Sequence, residues 1–144
     1  MQKSNKDEIK LTLKLNRSHY EEIITHSKEA HPIEACGLLL GLKRSGKKIV
    51  SEVRRAPNVL NSSSRYEIDP EIELQVFMEA ERKSLEVVGI YHSHPYWAAA
   101  PSGIDANLAF FQDVSYVIYS VSEGSFASYT WNGATFEREE IEIQ

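Results

Sequence analysis

Cysteine is almost missing from this chain. Cys36 stands alone, so no intrachain disulfide can form and a reducing, cytoplasmic setting is expected. Long apolar runs are missing too. The longest, around Gly37 to Leu42, falls far short of the roughly 20 residues that a membrane-spanning helix needs. The polar opening Met-Gln-Lys-Ser-Asn-Lys-Asp-Glu leads into no apolar core, so no signal peptide is expected. Positive charge is in deficit: 16 Lys and Arg face 21 Asp and Glu, a net charge of −5. A nucleic-acid binder would normally carry a basic patch or stripe. Lys43, Arg44, Lys47 and Lys48 do cluster, but around Gly46 they read as a polar hairpin turn. No Pro/Gly-rich linker, repeat or change of composition divides the 144 residues. One domain spanning 1–144 is therefore expected, large enough to bury about two-thirds of its unfolded surface.

What is present is an alternation of strand and helix patterns. Ile9, Leu11, Leu13 and Leu15 repeat every second residue, the period of a half-buried strand. Ser18 and Glu21 have the form of a capping box, and Tyr20, Ile23, Ile24 and Ser27 line one helical face up to His31-Pro32. Strands are expected over Gly37–Leu42 and Lys48–Val53, and a mobile polar loop over 55–64, with Asn58, Asn61 and three serines. Tyr66 and Ile68 predict a short strand. Asp69-Pro70 sets an N-cap before a proline at the first helical position, and Ile72, Val76, Phe77 and Ala80 form the buried stripe of that helix. The continuous apolar run Val87–Tyr91 predicts a central strand covered on both faces. Pro101-Ser102 opens a third helix through about Phe111. Strands over Tyr116–Val121 and Phe126–Trp131 follow across Glu123-Gly124, and Asn132-Gly133 predicts a two-residue hairpin into a last strand. The order β-α-β-β-β-α-β-α-β-β-β implies a mixed sheet with helices packed on it, in the α/β or α+β class.

The chemistry concentrates between residues 89 and 105. His92 and His94 are two apart at a strand end, so their side chains leave one face and two imidazoles can grip one metal. Pro95 stops the strand, which predicts both rings at a sheet edge. Asp105 falls in the first turn of the helix opened at Ser102 and offers a third ligand. Two neutral histidines and a carboxylate suit Zn²⁺ and leave a fourth position for water, whose pKa zinc lowers to about 7. Such a site also needs a proton acceptor, and Glu34 is on offer. Each feature has a reading without chemistry. Ser102 and Asp105 make a good N-cap pair, Asp in a first helical turn needs no metal, and Glu34 alone is any surface acid. Cys36 reads as a small buried hydrophobe, and His19, His26 and His31 as solvent-facing or capping residues.

Taken together, Glu34, His92-Ser93-His94-Pro95, Ser102 and Asp105 resemble the motif of the JAMM (MPN+) zinc metalloproteases, with the internal spacing intact. Glu-Ala-Cys-Gly-Leu-Leu-Leu-Gly and Val-Val-Gly-Ile-Tyr also look like the family's flanking strands. The resemblance implies a curved mixed sheet flanked by helices, related in layout to the zinc deaminases. It implies one zinc ion on His92, His94 and Asp105 with water as fourth ligand. Glu34 would act as general base and then acid, and Ser102 as donor to the tetrahedral oxyanion. The implied substrates are conjugates of ubiquitin or a ubiquitin-like protein, cleaved after the C-terminal Gly-Gly; a homodimer or a proteasome-type assembly would be the protein partner, with no nucleic acid and no membrane. The polar loop 55–64 lies where the family contacts the modifier's tail, and Trp97 would line the leaving-group side or simply pack. Few residues separate Asp105 from the strand at Tyr116, so the longer insertion of the eukaryotic enzymes is missing. That points to the compact archaeal and bacterial type, similar to desampylases. Alternatives are a processing protease for a ubiquitin-like sulfur carrier, a small-molecule zinc hydrolase, and a non-catalytic MPN scaffold. A RadC-like nucleic-acid role is a further one, disfavoured by the lack of a basic face.

Overall fold

The computed structural model describes residues 11–107, 111 and 113–144. In chain order the elements are β1 (Thr12–Leu15), α1 (Arg17–Ala30), β2 (Cys36–Arg44), β3 (Lys47–Ala56), α2 (Pro70–Arg82), β4 (Glu86–His94), α3 (Gly103–Asn107), β5 (Ser115–Ser120), β6 (Ser125–Trp131), β7 (Phe136–Glu139) and β8 (Ile141–Ile143). The strands form one mixed sheet in the order β7-β6-β5-β4-β2-β3-β1-β8. β4 and β5 run parallel, as do β1 with β3 and β1 with β8; the other neighbours are antiparallel.

The period-2 alternation of β2, and of β4 on either side of a register irregularity near Val88, divides the core between the two faces of this sheet. Cys36, Leu38, Leu40 and Ile90 pack with Val76 and Ala80 of α2 on one face. Leu39, Val88, Tyr91 and Val117 pack with Leu13, Leu15 and Ile23 on the other, where α1 lies. Gly37 is required by that second face, since a β-carbon there would collide with the Tyr91 ring and the Arg54 carbonyl. At the sheet's outer strands, β7 pairs with β6 and β8 pairs with β1, and only Glu140 separates them. The C-terminal segment therefore ties both edges together and curls the sheet. The curl buries Lys48 against Glu139, Nζ to Oε2 3.0 Å, although β3 and β7 are not neighbours in the sheet.

Several local expectations are corrected. Tyr66 and Ile68 are buried but belong to no strand; between them the Glu67 carbonyl accepts from the Val59 N–H at 3.0 Å, a contact within the loop. The last strand is two, broken at Glu140. The turn before β7 covers residues 132–135 rather than two, with Asn132 Oδ1 accepting from the Ala134 and Thr135 N–H groups, 2.8 Å each. α1 is capped by Asn16, whose side chain accepts from the His19 N–H at 2.9 Å, instead of by a Ser18–Glu21 box. Phe77 is 38% exposed rather than part of the buried stripe. Lys48 is no turn residue: the turn is Ser45-Gly46, both with positive φ, as a two-residue hairpin requires. The ends of the expected first strand (Ile9, Lys10) and of the third helix (108–110) lie outside the described residues. Asp69 and Pro70 open α2 as expected. Among the described residues no helix is long and apolar enough to cross a membrane.

Candidate metal centre

β4 runs on through both histidines and ends at Pro95, so the pair sits at the end of a central strand with β2 on one side and β5 on the other. Both are buried, at 2% and 1% exposure, not displayed at a sheet edge. They continue the alternation that starts at Ile90 and share its face of the strand. His94 Nδ1 lies 2.8 Å from the Ala98 carbonyl. A carbonyl only accepts, so Nδ1 holds the proton and Nε2 keeps its lone pair. That loop is itself anchored: Tyr129 donates its hydroxyl to the Ala99 carbonyl at 2.8 Å, and Ala99 packs with Ile118 and Ala127. At the start of α3 the Ser102 N–H donates to Asp105 Oδ2 at 2.9 Å, and the Asp105 N–H donates to Ser102 Oγ at 3.0 Å. This reciprocal cap aims the carboxylate back at the strand end.

The outcome is a triangle of potential ligands. His92 Nε2 and His94 Nε2 are 3.2 Å apart; Oδ1 of Asp105 lies 3.2 Å from the first and Oδ2 lies 3.2 Å from the second. Ligands at zinc bond lengths on a tetrahedron sit about 3.3 Å apart, so the spacing fits the ion. His92 Nδ1 is buried with no hydrogen-bond partner. Among the described residues these three form the one group able to hold a metal ion.

Charge supports the same conclusion. Burial resists ionisation of Asp105, yet the neighbouring His92, the bond from His94 and the Ser102 N–H hold its carboxyl well below the usual range. For His94, burial pulls the pKa down, but hydrogen bonds to Asp105 and Ala98 leave it raised on balance. Glu34 is 1% exposed and its Oε1 lacks a partner. Burial pushes it up to about 8, His94 opposes, and the charge of Asp105 adds to the rise. Its main chain is pinned on each side. The Glu34 N–H donates to the Ser62 carbonyl at 2.9 Å, Asn58 Nδ2 donates to the Glu34 carbonyl at 3.1 Å, and the Ala35 N–H donates to Ser93 Oγ at 2.8 Å.

The structure thus brings His92, His94, Asp105 and Ser102 into direct contact and sets Glu34 within electrostatic reach of them. Trp97 lies beside them, its ring 5.8 Å from that of His94, and is 39% exposed. Cys36 is a buried core residue whose thiol burial pushes up to about 12. His31 is the exposed C-cap of α1. His26 departs from expectation: it turns inward, Nδ1 2.6 Å from the Tyr91 hydroxyl. Four features escaped sequence reasoning: the Ser93 hydroxyl, the Ala98 carbonyl, Asn58, and Tyr66, whose ring stacks on His92 at 4.6 Å. Ser93 left a signal, a polar residue inside an apolar strand; the others depend on contacts distant in sequence.

Comparison with known proteins places this geometry. A family described as prokaryotic homologs of the JAB domain matches residues 16–132. A desampylase from Pyrococcus furiosus is 37% identical over 105 residues, covering 73% of this chain and 72% of that protein. A CysO-cysteine peptidase from Mycobacterium tuberculosis is 34% identical over 103 residues, covering 70% of this chain and 68% of that one. A solution structure of a protein from Desulfitobacterium hafniense superposes with a TM-score of 0.85 at 30% identity, over 92% of this chain and 93% of the other. With ligand triad, fold and sequence in agreement, the chain belongs to the prokaryotic JAB-domain family of JAMM/MPN metallopeptidases.

Proposed function

We propose that the chain is a zinc-dependent isopeptidase that hydrolyses the bond after the C-terminal Gly-Gly of a ubiquitin-like modifier. The observation that carries this reading is the triangle of His92, His94 and Asp105 with a partnerless buried carboxyl, Glu34, beside it. The three residues would hold one zinc ion and leave a fourth position open. When bound, zinc supplies Lewis acidity and lowers the pKa of water to about 7. Glu34 takes a proton from the attacking water at its carboxylate and returns it to the leaving amine. The water oxygen ends in the modifier's new carboxylate. Ser102 Oγ accepts from the Asp105 N–H, which leaves its hydroxyl hydrogen to donate to the oxyanion. A cleft of about 300 Å³, lined by Ile33, Glu34, Pro57, Asn58 and Asn61 among others, separates the loop after β3 from the end of α1. We place the extended Gly-Gly tail there. A lone buried cysteine suits a cytoplasmic setting.

A second reading, release of a cysteine from a modifier rather than of a lysine, is favoured by the likeness to a CysO-cysteine peptidase. Purified protein offered a lysine-linked ubiquitin-like conjugate and a linear carboxy-extended modifier separates the two. The first should be cleaved, the activity should vanish with chelator, and zinc should restore it. Cleavage of the linear form alone favours the processing reading, and zinc binding without cleavage of either favours a scaffold. Zinc retained by the His92→Ala/His94→Ala double variant would refute the site.

A further inference from the structure

Five hydrogen bonds of the segment between β3 and α2 run through one side chain. Asn58 Nδ2 reaches the carbonyls of Arg65 at 2.9 Å, Glu34 at 3.1 Å and Ser62 at 3.5 Å. Its Oδ1 accepts from the N–H groups of Leu60 at 3.0 Å and Glu67 at 3.2 Å. Asn58 thus closes the loop on itself and ties it to the main chain of Glu34. The Glu34 N–H, on its other side, donates to the carbonyl of Ser62 in the same loop. At the far end of the loop the chain presents Tyr66, buried at 9% exposure, its ring stacked on His92 with an interplanar angle of 20°.

The two histidines are therefore held by different means. His94 has an acceptor, Ala98, fixing its ring. His92 has none, since its Nδ1 is buried without a partner. The ring of Tyr66 lies stacked on the face of His92, whose Nε2 meets Asp105 and His94. Hydrogen-bond partners behind a metal-binding histidine commonly orient it and govern metal affinity, and His92 has the stacked ring of Tyr66 instead.

We propose that the segment from Asn58 to Tyr66 is a positioning brace for the metal centre, with Tyr66 orienting His92 and Asn58 orienting Glu34. It deepens the metallopeptidase reading and rests on it. Neither residue touches the reacting atoms in this scheme; each acts through the residue it holds. On this arrangement, removing residues 55–64 would disorganise Glu34 whether or not the loop touches a modifier.

The test measures zinc affinity by competition with a chromophoric chelator, together with kcat and KM on a modifier conjugate. Tyr66→Leu should weaken zinc binding by roughly 10–100-fold, while Tyr66→Phe, which keeps the ring face, should stay within about threefold of the parent. Tyr66→Met, long and apolar without a ring, is the second variant should Tyr66→Leu not fold. Zinc affinity unchanged in whichever of these folds, or lost as much in Tyr66→Phe, would overturn the role given to the ring. Asn58→Ala should keep parental zinc affinity, which also shows that its site has folded, while kcat falls about tenfold or more and KM holds. A loss confined to KM would make Asn58 a substrate contact and overturn its arm of the brace. The Tyr66 arm is read in metal affinity, so it stands or falls even where the conjugate offered is the wrong substrate.

Discussion

Among the described residues, Lys48 with Glu139 and the candidate metal centre are both buried clusters of ionisable side chains, and they are built differently. In one, Lys48 and Glu139 face each other at 3.0 Å, with side-chain exposures of 2% and 5%, and the Ser128 hydroxyl donates to the second Glu139 oxygen at 2.6 Å. Opposite charges are matched one to one, and the pair links strands that the sheet order keeps apart. In the other, two carboxyls, Glu34 and Asp105, share a buried space with two histidines. One oxygen of Glu34 and one nitrogen of His92 have no partner at all. Burying polar groups without partners is costly, and here that cost falls beside three potential metal ligands lying within 4.8 Å of one another. The first cluster links strands far apart in the sheet; the second carries the candidate metal ligands and the acid proposed beside them.

That contrast is open to direct attack. Glu34→Gln should lower kcat by roughly 10²–10⁴-fold, the range typical of lost acid–base catalysis, while zinc is retained in full. Activity that survives in this variant refutes the proton-transfer role. Lys48→Met should act on the other side of the comparison. Leaving Glu139 buried and unpaired should cost about 3–5 kcal/mol of stability in denaturant titration, with zinc affinity and kcat per folded molecule unchanged. Replacing both partners, Lys48→Met with Glu139→Leu, should recover most of the loss. If Lys48→Met impaired zinc binding or kcat in the folded fraction, the division into structural and functional clusters would fail.

The two clusters also differ in how far they can be read from residues alone. His92, His94, Ser102 and Asp105 lie on one strand, one short loop and one helix start, so the period of a strand and the rules of helix capping suffice to bring them together. Glu34 belongs to another element, and only the family resemblance attached it to them. Lys48 beside a hairpin turn reads as a surface lysine. The alternation Lys48, Val50 in β3 did put it on the inner face, but burial there depends on the C-terminal segment closing the sheet, a contact distant in sequence. Tyr66 and Ile68 show the same limit: their alternation correctly marks burial, yet a strand also needs a pairing partner, which a local pattern does not reveal. The sheet class and most of the element order were legible because amphipathic segments carry them; the absence of a strand at Tyr66 and Ile68 and the split of the last strand were not. The brace at Asn58 was not, since one polar residue in a polar loop looks like its neighbours.

The smallest of these effects tests the imbalance of the metal centre most directly. In the unfolded chain Glu34 ionises near its ordinary value of 4.5, whereas in the folded, metal-free protein burial holds its proton up to about 8. Between those values the folded state binds more protons than the unfolded one, so this residue's contribution to stability declines as pH rises through that window. Glutamine in its place carries no such penalty. With zinc removed by chelator, Glu34→Gln should match the parent in urea unfolding near pH 4.5. Its advantage should grow through pH 6 and level off above pH 8 at on the order of 2–4 kcal/mol. A difference between the two proteins that is the same at pH 4.5 and pH 8 would mean that Glu34 is not held protonated, and that the mismatched cluster is balanced after all.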